Sequence, residues 1–233
     1  DRDAAISRIT VQLWDLAGNE VAALTGNLSY APDLGRIWDN VVGRKLYVTG
    51  GLGARRGNEG FGEDYDLPNR TAYTETCAAI ANALWNHRLF LLHGDAKYLD
   101  VLERVIYNGF LSGVALDGEH FFYPNPLAFD GKDPFNQGAP GRKGWFNCSC
   151  CPTNVVRFLP SIAGYVYAQR ERELFVNLFV AGSAGLEIEG RPVTGARMYA
   201  SPAASGCANG PAACCRARRC PGSTATSERP RRT

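Results

Sequence analysis

The sequence has 233 residues, 45% of them hydrophobic and 21% charged, with a formal net charge of +2. That size and composition fit a globular chain holding one medium domain or parts of two, and no run of about 18 apolar residues is present to span a membrane. The net charge conceals two regions: residues 191–233 carry eight arginines against one acid, Glu228, leaving 17 bases and 22 acids before them. The body is thus mildly acidic and lacks the basic footprint that nucleic acid or an anionic membrane requires.

Residue 1 is Asp and no charged-then-apolar leader follows, so the chain is expected to lack its original start. Residues 1–20 show no clear period. From Glu20 the run EVAALTG reads as a short helix stopped by Gly26. Leu34, Ile37, Trp38, Val41 and Val42 recur at helical spacing and predict a helix over 33–44. Residues 47–69 are glycine-rich, contain Pro68 and have no period, the mark of a long loop, and long loops on compact scaffolds often carry function. Thr71 to His93 is the strongest predicted helix, with Ala79, Ala83, Trp85 and Leu89 on its apolar face, Asn69 or Thr71 as cap and Gly94 as stop. A helix over 96–112 follows, from Tyr98, Leu99, Leu102, Val105, Ile106 and Phe110, then a loop over 113–151 and a helix from about Asn154 to Gln169. The period then changes to two in LFVNLFVAG (174–182) and LEIEG (186–190), which read as strands. Helices giving way to strands predict a helical domain followed by a β domain. Beyond Gly190 the chain is Ala, Arg, Pro, Cys and Gly with one aromatic, Tyr199, a mixture expected of an out-of-frame or disordered tail.

Four of the eight cysteines, Cys77, Cys148, Cys150 and Cys151, lie in the body, and Cys207, Cys214, Cys215 and Cys220 lie in the tail. A body this rich in apolar residues needs no disulfide staples, so its clustered thiols point to metal or catalysis. Glu75-Thr76-Cys77 opens the strong helix and Cys148-Ser149-Cys150-Cys151-Pro152 closes the second long loop. Carboxylate and thiolates are zinc ligands, but the spacing alone leaves inert buried cysteines or a redox pair open. Glu59, Glu63, Asp64 and Asp66 form an acidic group in the first loop. Such acids serve glycoside hydrolysis, or simply solvate a loop. Tyr47, Tyr65, Tyr73, Trp145 and Phe146 are candidates to stack on sugars or to fill core. His87, His93 and His120 have no ligand spacing.

The runs KLYVTGGLGARRGNEGFGEDYDLPNRTAYTETCAAIANALWNHRLF and WFNCSCCPTNVVRFLPSIAGYVYA resemble the β-L-arabinofuranosidase family, glycoside hydrolase family 127, over roughly residues 20–190. The resemblance implies a mainly α fold. Residues 1–172 would be the C-terminal part of an (α/α)6-barrel catalytic domain, 173–190 the first strands of a β-sandwich, and 191–233 the tail. It also implies Zn²⁺ held by Glu75, Cys77, Cys150 and Cys151, with Cys150 as thiolate nucleophile and Glu59 as general acid/base. Cys148 is left beside the site or packed in the interior. The implied activity is retaining release of L-arabinose from β-L-arabinofuranosides, with an arabinofuranoside-containing oligosaccharide or glycan as partner and no nucleic acid or membrane. The oligomer stays open, a homodimer among the options, and a reactive zinc-held thiolate favours a reducing, cytoplasmic setting. The family's catalytic domain is longer, so this fragment is expected to lack helices that close the barrel, and with them activity of its own. The alternative is a non-catalytic helical, carbohydrate-associated protein with a structural zinc.

Overall fold

A computed structural model describes residues 10–14, 20–25, 31–170, 173–181, 185–188 and 191–194. Two units divide the chain at Ala163 and Gly164. In the first, β1 (Thr10–Trp14) pairs antiparallel with β2 (Glu20–Thr25), Thr10 opposite Thr25. The predicted helix from Glu20 is therefore a strand. A six-residue Ala/Leu run is too short to hold a helix alone, and a pairing partner outside the run decides its conformation. Helix α1 (Ala31–Asn40) runs on into a wider π-type turn, Val41–Lys45, matching the helix expected over 33–44. Helix α2 (Thr76–His93), helix α3 (Ala96–Arg104) with its π-type continuation Val105–Phe110 and 3₁₀ turn Leu111–Gly113, and helix α4 (Cys150–Phe158) with a 3₁₀ continuation Leu159–Tyr165 follow. Among the described residues, no helix is long and apolar enough to cross a membrane.

The core of this unit forms where α2 meets α3 and α4. Ala79, Ala83, Leu102, Val105 and Phe110 are fully buried. Trp38 meets Tyr98 edge-on at 5.0 Å, and Phe110 meets Phe158 edge-on at 4.9 Å. The buried face of α2 also carries Asn82 and Asn86. Their amides form a chain: Trp38 Nε1 donates to Asn86 Oδ1 at 2.8 Å, Asn86 Nδ2 to Asn82 Oδ1 at 2.7 Å, and Asn82 Nδ2 to the Gly50 carbonyl at 3.3 Å. A satisfied polar chain of this kind fixes register where apolar contact alone would allow sliding. It binds α1 and the glycine-rich loop to α2.

Helix α2 starts at Thr76, five residues after the expected Thr71, and its N-cap is Glu75 rather than Asn69 or Thr71. Thr74 takes a left-handed backbone (φ +38°) and is held there by its N–H on the Gly53 carbonyl, by its hydroxyl on the Asn125 carbonyl and by Asn125 Nδ2 on its own carbonyl. Those partners lie in two loops, out of reach of any local helix signal. Gly94 ends α2 in the left-handed conformation expected of it. Helix α4 begins at Cys150, ahead of the expected Asn154, with Pro152 in its first turn where no N–H is missed. It tightens at Leu159 because Pro160 cannot donate to the preceding turn.

The second unit holds two antiparallel pairs, β3 (Tyr167–Arg170) with β4 (Glu173–Val176) and β5 (Gly185–Ile188) with β6 (Arg191–Thr194). Gln169 Nε2 donates to the Glu187 carbonyl at 2.8 Å, joining them. The helix expected to run to Gln169 gives way to β3. Of the strand expected over 174–182, only the part to Val176 is strand among the described residues, in β4, and the strand expected over 186–190 overlaps β5. Arg191–Thr194, the first residues of the expected tail, are strand; residues 195–233 lie outside the described residues.

Two consequences are measurable. Gly50 has φ +83°, and a Cβ there would sit 2.9 Å from Val105 Cγ2 and 3.0 Å from the Val105 backbone. Gly50→Ala is expected to lower unfolding free energy by more than about 1 kcal/mol, read by urea denaturation. Burial holds the His87 imidazole down from 6.5 to about 4. The unfolded chain thus takes up that proton first, so stability falls as pH drops through this window and is unaffected above it. His87→Gln should flatten the decline of Tm with pH between 6.5 and 4 relative to the native sequence.

Candidate metal centre

Two helix starts meet at one point. Glu75 is the N-cap of α2 with Cys77 in its first turn, and Cys150 and Cys151 are the first two residues of α4. Helix N-termini carry partial positive charge, which favours thiolate and carboxylate alike. The Glu75 side chain makes no capping hydrogen bond; its Oε1 lies 3.4 Å from Cys150 Sγ and 3.3 Å from Cys151 Sγ. Cys77 Sγ is 3.3 Å from Cys151 Sγ, and Cys150 Sγ is 4.0 Å from Cys151 Sγ. One donor atom from each of the four residues lies within 4.8 Å of all the others.

The donor set fits a tetrahedral cation. Bonds of about 2.3 Å to sulfur and about 2.1 Å to oxygen give S···S edges of about 3.8 Å and S···O edges of about 3.6 Å. The observed S···S separations of 3.3 and 4.0 Å bracket the first, and the S···O separations of 3.3 and 3.4 Å fall just inside the second. The four described cysteines are free thiols, which excludes a disulfide among them in this structure. Electrostatics point the same way. Burial pushes the Cys150 thiol up to about 12. Cys151 is raised by its hydrogen bond to Cys77 and by burial, while Cys77 alone is lowered, by Cys151 and by the Asn154 amide. Thiolates this close repel one another, so ionising all three calls for a positive charge among them.

Cys151 is fully buried and Glu75 nearly so, while Cys77 and Cys150 are partly exposed. Cys150 is also 2.8 Å from the Tyr123 hydroxyl. Tyr123 is brought there by the second long loop, whose residues are tied to the start of α2: Thr76 N–H donates to the Tyr123 carbonyl and Thr76 Oγ1 to the Phe122 carbonyl. Buried Asn136 clamps the same loop, accepting from the Tyr123 N–H and donating to the carbonyls of Phe121 and Gly141. Cys148 is exposed, not packed in the interior, and the Cys150 N–H and Tyr123 hydroxyl lower its thiol.

The loop acids separate into different surroundings. Asp64 is held by Arg44 at 2.6 Å and Lys45 at 2.9 Å, and Arg44 draws its carboxyl down to about 2. Asp66 is held by Arg55 at 2.5 Å. The Glu63 carbonyl accepts from the Asp66 N–H at 3.1 Å. Glu59 is the one whose carboxylate meets the wall of the site: buried Tyr73 donates its hydroxyl to Glu59 Oε1 at 3.0 Å. The Glu59 backbone is left-handed (φ +50°), an uncommon conformation for a non-glycine residue. Of the candidate stacking aromatics, Tyr47 and Phe146 are core, and Tyr65 and Trp145 are exposed. None of the three histidines joins the four-residue cluster.

Sequence reasoning did not single out Tyr123 or Asn154. Asn154 donates to Cys77 Sγ at 3.0 Å and lies one helical turn past Cys150 and Cys151, a spacing that becomes visible once α4 starts at Cys150. Tyr123 has no such local signal.

Comparisons with known proteins give the chain's relatives. The family model described as beta-L-arabinofuranosidase, GH127 catalytic domain, matches residues 8–164, beginning before the expected Glu20 and stopping short of residue 190. The non-reducing end beta-L-arabinofuranosidase of Bifidobacterium longum subsp. longum is 36% identical over 181 residues, covering 73% of this chain and 28% of that protein. Among solved structures, a GH127 beta-arabinofuranosidase superposes with TM-score 0.68 at 54% identity, covering 72% of this chain and 26% of that one. The GH127 beta-L-arabinofuranosidase of Geobacillus stearothermophilus T6 superposes with TM-score 0.62 at 46% identity, over 66% of this chain and 25% of that one. The chain thus spans about a quarter of the length of these relatives. With the family match extending over Glu59, Glu75 and all the thiols of the cluster, the chain belongs to the GH127 beta-L-arabinofuranosidase catalytic-domain family.

Proposed function

We propose that this chain is part of a retaining β-L-arabinofuranosidase in which Cys150 is the nucleophile and Glu59 the general acid/base. Glu75, Cys77, Cys150 and Cys151 would hold Zn²⁺. The observation that carries the reading is the four-donor cluster, with one sulfur, that of Cys150, both partly exposed and in contact with a tyrosine hydroxyl. A thiolate-rich donor set selects zinc over magnesium or calcium. Bound Zn²⁺ supplies the positive charge that keeps the thiols ionised at neutral pH.

The chain's own residues perform the steps. The Cys150 sulfur attacks the anomeric carbon, forming an S–C bond as the C–O bond to the aglycone breaks. The Glu59 carboxyl gives its proton to the departing oxygen. In the second half, Glu59 takes a proton from water as the water oxygen bonds to the same carbon and the S–C bond breaks, restoring the thiolate and releasing L-arabinose with retained configuration. Tyr123 can donate to the Cys150 sulfur when that sulfur is ionised and between turnovers.

The helices of the first unit are read as the C-terminal share of an (α/α)6 barrel, and the strands that follow as the opening of a β-sandwich. An arabinofuranoside-bearing glycan as substrate and a reducing, cytoplasmic setting suited to a reactive thiolate complete the proposal. One observation favours a second reading: four protein donors form a closed set, as structural zinc sites do.

The test is release of 4-nitrophenol from its β-L-arabinofuranoside. It would be run on this chain and on one extended to the length of its relatives, with bound zinc quantified. Cys150→Ser should lower kcat by at least about a thousandfold while the protein stays folded. Glu59→Gln should retain zinc and lower kcat about 10²- to 10⁴-fold, because the water that releases the sugar from sulfur still needs its base. A folded, zinc-loaded, full-length protein with no activity would favour the structural reading.

A further inference from the structure

We propose that Tyr73 is the positioning residue for the acid/base: its hydroxyl fixes the Glu59 carboxylate at the proton-transfer point and references it to the thiol cluster. The proposal rests on the reading of Glu59 given above.

Glu59 is exposed on a glycine-rich loop, where a glutamate side chain would ordinarily sample many rotamers. Its backbone is fixed: Arg55 and Gly60 exchange both N–H···O bonds at 3.1 and 3.2 Å, and Arg55 is anchored on Asp66. Those contacts hold the main chain only. The carboxylate itself is held by the Tyr73 hydroxyl at 3.0 Å. Tyr73 is buried, so its ring is a fixed support rather than a second mobile group. It is followed by Thr74, locked left-handed by two loops, and then by Glu75 of the cluster. On its other side the Tyr73 ring packs against the Tyr123 ring at 6.4 Å, and the Tyr123 hydroxyl touches Cys150 Sγ at 2.8 Å.

Two tyrosines side by side therefore hold the two groups of a double displacement, one hydroxyl on the acid and one on the nucleophile. Retaining hydrolysis depends on the separation of these groups, and misplacement of a positioned group by about 1 Å costs about a hundredfold. Tyr73 neither gives nor takes the reacting proton; it orients the residue that does.

Tyr73→Phe keeps the ring and removes the hydroxyl. The readout is kcat/KM, which reports sugar transfer to sulfur, for the 4-nitrophenyl and the methyl β-L-arabinofuranoside on the zinc-loaded, full-length protein. Nitrophenolate leaves without protonation, whereas methoxide requires it. Tyr73→Phe is expected to lose about ten- to a hundredfold on the methyl glycoside and less than about threefold on the nitrophenyl glycoside. The ratio of the two rates does not depend on how much variant is folded. Glu59→Gln should shift the same ratio further. Equal losses on both substrates, or an unchanged ratio while Glu59→Gln shifts it, would overturn the role of Tyr73. An unchanged ratio in Glu59→Gln itself would instead remove Glu59 as the acid, and Tyr73 with it.

Discussion

Three sulfurs and a carboxylate oxygen within 4.8 Å of one another form an arrangement that self-repulsion opposes once more than one is ionised. Much of the surrounding architecture serves to hold it. Two helices are started at the same place, so their N-terminal dipoles face the cluster. The Glu75 carboxylate is withheld from capping its own helix and turned to the sulfurs. The thiols shift in opposite directions, Cys77 down and Cys150 and Cys151 up, as groups sharing protons at close range do.

The loops beside the cluster are held by polar bonds as well as by the burial of Tyr47, Ala54 and Phe146. Asn136, fully buried, stands in for the backbone partners that the second loop lacks. In the first loop, Asp64 and Asp66 are spent on Arg44, Lys45 and Arg55. That division of labour separates acids that brace the loop from Glu59, which stands against Tyr73. The left-handed backbones at Glu59 and Thr74 flank the same site, and conformations of this kind persist only where neighbouring contacts over-determine them.

Where the sequence reading succeeded, the signal was local and periodic. Leu99, Leu102, Val105 and Ile106 mark α3 and its continuation because an apolar stripe every three to four residues needs no distant partner to be recognised. Gly94 could be read as a helix stop for the same reason. The failures share a cause. EVAALT is a strand because Thr10–Trp14 pairs with it, and α2 starts late because Gly53 and Asn125 hold Thr74. Asn82 and Asn86 lie on the buried face of α2 for the sake of Trp38 and Gly50. In each case a partner remote in sequence overrode the local preference.

By itself the sequence determined the chemistry available: a Glu-x-Cys near a helix start, a Cys-x-Cys-Cys at the end of a loop, and an acid-bearing glycine-rich loop. Their order and type also carried the family resemblance. Which acid meets the site, which cysteine stays partly open beside a tyrosine, and that Cys148 stays exposed were decided only by tertiary structure. The reason is physical. Ligand type is a property of single residues, whereas the separations of 3.3 to 4.0 Å that make four of them one site arise from the packing of α2 against α4 and from the loops that hydrogen bonds pin to both.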